Sequence, residues 1–85
     1  MSEEGHFKTM GSLAQMSIRI IDDLRGRGIP IPSFMGNNVA KIESLYDQAI
    51  ETGKASEEDV DAALERYRSL CTSYVWLTLG GDDEL

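Results

Sequence analysis

The segment Gly26-Arg27-Gly28-Ile29-Pro30-Ile31-Pro32 decides the course of this chain. Each proline fixes its own φ and pushes the isoleucine before it out of the α region. No helix crosses such a segment. It predicts an extended link near polyproline II, with Ile29 and Ile31 lying across the open end of a bundle. On both sides the apolar residues recur at helical spacing, so the chain divides into three amphipathic segments.

The first predicted helix runs from about Leu13 to Arg25, with Ser12 as N-cap. Leu13, Met16, Ile20, Ile21 and Leu24 share one arc; Ser17 falls inside it and Ile18 outside. Arg25 complements the negative helix end and Gly26 caps it. The second covers roughly Asn38 to Thr52, with Ser33 as an alternative start. Val39, Ile42, Leu45, Tyr46, Ala49 and Ile50 form its apolar face, and Gly53 stops it. The third opens with Ser56-Glu57-Glu58-Asp59, a near capping box with acids at the positive end of the helix dipole. Val60, Leu64, Tyr67, Cys71, Tyr74 and Thr78 form its stripe, flanked by Ala63 and Leu70. Residues 73–79 are rich in β-branched and aromatic residues and also read as a strand, but a strand there lacks a good partner. Helix to about Leu79 is the preferred reading.

The expected fold is therefore one small all-α domain. It is a three-helix antiparallel bundle with an extended, proline-containing link between helices 1 and 2. Residues 1–11 read as a flexible N-terminal segment and residues 80–85 as an acidic C-terminal tail. A domain of this size buries only roughly 60–65% of its unfolded surface, so a partner or a second copy is a natural source of further burial. Cys71 is the only cysteine, so no disulfide staples the domain and a reducing compartment fits. The N-terminus lacks the basic and apolar regions of a secretory signal, and no apolar run approaches the roughly 20 residues of a membrane span. The expectation is a soluble, cytoplasmic protein without a membrane role.

The net charge of −7 is unevenly placed. Residues 1–34 are neutral overall, and the whole surplus lies in residues 35–85. An acidic surface is repelled by phosphate backbones, which argues against direct nucleic-acid binding and for a larger protein partner with a basic surface. Catalytic and cofactor templates are missing. There is no phosphate-binding glycine loop, no nucleophile elbow, and too few Cys and His for a structural zinc site. His6 reads as an exposed residue of the N-terminal segment and Cys71 as a small buried hydrophobe. No enzyme activity, cofactor or metal is expected.

What remains points to an interaction surface. On a continuous third helix Trp76 falls nearly opposite the core stripe, beside Asp61, Glu65, Arg68, Thr72 and Leu79. Exposed tryptophan is enriched at binding hot spots. Either another part of the chain covers it, or a partner or second copy does. Trp76, Tyr74, Leu79 and Phe34 are the candidate apolar anchors. Glu58, Asp61 and Glu65 are the candidate steering acids. Arg25 and Arg27, on glycine hinges, read as parts of a connector or as donors to a partner. The preferred function is a small non-catalytic regulator, inhibitor or accessory subunit that occludes a surface of a larger protein. The alternatives are a carboxylate-rich nucleic-acid mimic and a self-assembling homodimeric component.

Overall fold

The computed structural model describes residues 3–79, so the acidic tail expected at 80–85 lies outside the described residues. The described chain forms three α-helices: α1 Glu3–Gly26, α2 Ser33–Thr52 and α3 Glu57–Thr78. All three pairs pack against one another in an elongated body of 46 × 19 × 17 Å. Contacts fix the directions. Gly11 near the start of α1 meets Tyr46 near the end of α2. Asn38 early in α2 bonds Ser69 late in α3. Asp23 at the end of α1 takes a hydrogen bond from Tyr74 at the end of α3. The bundle is thus up-down-up, with each sequential pair antiparallel.

The core follows the apolar stripes. Leu13, Ala14, Ile21 and Leu24 of α1 close on Met35 and Ile42 of α2 and on Ala63 and Leu70 of α3. Ser17 is fully buried among them, and its hydroxyl returns a 2.6 Å bond to the Leu13 carbonyl. Asn38 is the other buried polar side chain of the described chain. Its amide is satisfied from α3, accepting from Arg66 at 3.2 Å and donating to Ser69 at 3.4 Å.

Helix 1 corrects the expectation of a flexible N-terminal segment. It begins at Glu3 rather than Leu13, and Ser12 is a mid-helix residue, not an N-cap. Gly5, Thr9 and Gly11 are weak helix formers, and their low propensity hid the helix. Tertiary contacts supply what propensity lacks. Met10 is buried with Ala49, Ala55 and Val60, and Phe7 packs against that cluster. Glu3 Oε2 accepts from the Ala55 amide at 2.9 Å, and His6 Nδ1 donates to the Ala55 carbonyl at 2.7 Å. His6 is therefore half-buried and bonded, and it ties α1 to the turn between α2 and α3.

The first link confirms extension and relocates its cap. Gly28, not Gly26, adopts the left-handed backbone, with φ 74°. Its amide donates to the Arg25 carbonyl at 3.0 Å, and the Ile29 amide to Leu24 at 2.9 Å. This is a Schellman closure, and it brings Ile29 back toward Leu24. Ile29 and Ile31 both pack on the core. Pro32, at φ −60° and ψ 145°, then delivers the chain into α2 at Ser33. Gly36, Asn37 and Asn38 are helical despite poor propensity because Met35 and Asn38 are buried beside them.

Helix 3 settles residues 73–79 as helix through Thr78, with the Leu79 amide closing onto Val75. Ser56 caps its start by accepting from the Asp59 amide at 3.1 Å. Thr72 and Thr78 hydroxyls bond the carbonyls four residues back, at 3.1 and 2.8 Å, which satisfies their polar groups within the helix. Several expected core residues sit further out, Thr78 among them. Ile50 is 57% exposed, Met16 lies at the edge under the Tyr67 hydroxyl, and Cys71 is half-buried.

Because Met10 anchors the first half of α1, Met10→Ala is expected to destabilise the protein by about 2–5 kcal/mol in urea unfolding. A loosely attached segment would tolerate the change within about 0.5 kcal/mol.

Candidate functional site

The most exposed apolar ground of the described chain lies where the start of α2 meets the end of α3. Pro32, Phe34, Ser73, Trp76 and Leu77 line an open groove of about 360 Å³. Trp76 is 67% exposed, Phe34 51% and Leu79 78%, and Val75 is also exposed. Each has a local cause. Val60, Ala63 and Leu70 turn inward from α3, and Trp76 projects from nearly the opposite side at 100° per residue. Phe34 is held in the first turn of α2 by the fixed backbone of Pro32. The helix begins there, five residues earlier than the preferred reading, and that brings Phe34 to Trp76.

Tyr74, grouped in the sequence with the apolar anchors, faces the other way. Its hydroxyl donates to Asp23 Oδ2 on α1, and the same oxygen accepts from Arg27 Nε at 2.7 Å. The Tyr74 and Arg27 bonds hold the Asp23 carboxyl below its ordinary value, and Tyr74 is pushed up by the bond to Asp23 first and by burial second. Arg27 is thus engaged within its own domain, while Arg25 stays exposed in the last turn of α1. This trio closes the α1–α3 seam beside the link.

Glu58, Asp61 and Glu65 are all exposed. With Thr72, Trp76 and Leu79 they fall within an arc of roughly 60° on α3. Asp61, Glu65, Leu64 and Arg68 line a shallow depression of about 230 Å³. A third groove, which sequence periodicity did not reveal, runs between α1 and α2. It holds about 320 Å³ among Gly11, Ala14, Gln15, Ile18, Glu43, Tyr46 and Asp47. A Cβ on Gly11 would come within 3.2 Å of the Tyr46 hydroxyl, so the glycine lets that ring lie close to α1. The acids of α2 and α3 therefore border different grooves.

Tyr67 is pushed above its ordinary value first by burial and then by the neighbouring Cys71. No group of three or more His, Cys, Asp or Glu among the described residues is placed to hold a metal ion. No described helix is long and apolar enough to cross a membrane. Among known proteins no family model, curated protein or solved structure matches the chain.

The Asp23 trio has a pH signature. Asp23 is lowered below 3.8, so its contribution is present above that pH and is lost as pH falls through the folded value. Tyr74 is raised above 10.0, so its contribution is present below that pH and is lost as pH rises through the folded value. Tyr74→Phe should lower the thermal midpoint most between about pH 4 and 10, and the gap from wild type should close at both extremes. A gap constant with pH would show a loss of packing alone.

Proposed function

We propose that this is a non-catalytic protein–protein interaction protein, a small regulator, inhibitor or accessory subunit that occludes a surface of a larger partner. The observation that carries the reading is the pairing of exposed Trp76 with exposed Phe34 across an apolar groove. Large aromatic surface left in water contributes nothing to folding, and aromatic anchors seated in pockets supply much of the energy of protein complexes. Hydrophobic anchoring by Trp76, Phe34 and Leu79 holds the partner. Acidic helix faces steer the approach of a basic surface. Tyr74 supports the anchor from behind through Asp23 rather than touching the partner.

The nucleic-acid mimic receives less support. Its carboxylates are divided between the α1–α2 groove and the outer face of α3, and Lys41, Lys54, Arg66 and Arg68 interrupt them. Surface occlusion needs only the one contiguous apolar groove.

The test compares wild type with Trp76→Ala in pull-downs from the native host, at low and high salt. The variant should keep its thermal midpoint, because the side chain is mostly exposed, and should weaken any captured complex by more than about 1 kcal/mol. Acrylamide should quench the single tryptophan readily in the free protein and poorly in the complex. Unfolding of Trp76→Ala without a separate loss of binding would make Trp76 a core residue and overturn the reading.

A further inference from the structure

The outer face of α3 carries two chemistries in one line. Its N-terminal half presents exposed Glu58, Asp61 and Glu65, and its C-terminal half presents exposed Trp76 and Leu79. Asp61 and Trp76 are fifteen residues apart, about 22 Å along the axis. Among the described residues none of these three acids has an ion-pair partner; the one ion pair there joins Arg27 to Asp23. Resting on the reading above, we infer that this face takes a segment of a partner protein with basic residues at one end and an apolar anchor about 22 Å away. The basic end lies over Glu58, Asp61 and Glu65, and the anchor enters the groove beside Trp76.

Charge selects this occupant over the others. A second copy of the chain fits badly. Laid parallel, its acids would face these acids; laid antiparallel, its apolar end would cover them and leave them without counter-charge. Anionic lipid is repelled by a protein of net charge −7. A basic segment answers both halves of the face. Arg68 lies between them, so the matching segment carries an acidic residue or a gap near its middle.

The test uses the full chain and a displayed library of random peptides about 24 residues long, enough to cover the distance as a helix. Selection runs in parallel on wild type, on Trp76→Ala and on Glu58→Lys/Asp61→Lys/Glu65→Lys. A milder Asp61→Asn/Glu65→Gln pair stands in if the triple variant does not fold. Enriched peptides should share a basic cluster and a distant apolar anchor. Their affinity should fall more than about 5-fold on Trp76→Ala and roughly 10-fold at low salt on the charge reversal. Peptides that need Trp76 but ignore the charge reversal would overturn this inference and leave the apolar anchor standing. Peptides that bind Trp76→Ala equally well, or no enrichment at all, would overturn both. Sedimentation showing self-association that shields Trp76 from acrylamide would assign the face to a second copy and overturn the basic segment.

Discussion

Three helices around one axis can each turn only one stripe inward, and that geometric constraint sets the rest of this structure. Met10, Leu13, Ala14, Ser17, Ile21 and Leu24 are the buried stripe of α1, spaced three or four apart save for one adjacent pair. On α3 the stripe is Val60, Ala63 and Leu70. A residue half a turn away faces out of the core. Trp76 is in that position, so its exposure follows from the same packing that places Leu70 at the centre. The link passes the end of the bundle close enough to give Trp76 a neighbour in Phe34, but not a cover.

The two ends of the bundle are closed by different means. At one end, Glu3 and His6 bond the backbone of Ala55 while Met10 and Val60 pack beside them. These contacts hold a stretch of α1 whose glycines would otherwise fray. At the other end, Ile29 and Ile31 cover the core and Asp23 gathers Tyr74 and Arg27. The link is thus a strap as well as a connector. Its glycine at residue 28 allows the reversal, and its prolines keep the strap from collapsing into another helical turn.

The fold class, the three helices and the inward faces of α1 and α2 were largely legible because each stripe repeats at helical spacing and each break has Gly or Pro chemistry; on α3 the most deeply buried residues, Ala63 and Leu70, flank the stripe. The first ten residues of α1 were not. Local propensity argues against a helix at Gly5, Thr9 and Gly11, and the contacts that override it come from Ala49, Ala55 and Val60, about 40–50 positions away. The start of α2 was blurred for a similar reason, since Gly36 and Asn37 mask a helix that burial of Met35 secures. Placing Trp76 opposite the core needed only the helical wheel, and the structure agrees. Pairing it with Phe34 needed the path of the link, which periodicity does not encode. Tyr74 packs on the core side, as its stripe position reads, but a stripe position does not say that its hydroxyl will find a carboxylate on another helix.

Charge and apolar exposure are coupled on this surface. A small bundle that leaves Trp76, Phe34, Val75 and Leu79 in water carries an adhesive patch, and neutral chains with such patches associate with one another. The surplus of seven negative charges opposes that association, and it lies in the half of the sequence that contains Trp76. Repulsion reaches further than hydrophobic contact, about 8 Å at physiological ionic strength, so two copies meet the barrier before their patches touch. A basic surface meets attraction over the same distance. On the binding function proposed above, the acids and the tryptophan would act in sequence along one approach: the first would discriminate among colliding surfaces, and the second would hold the one that is admitted.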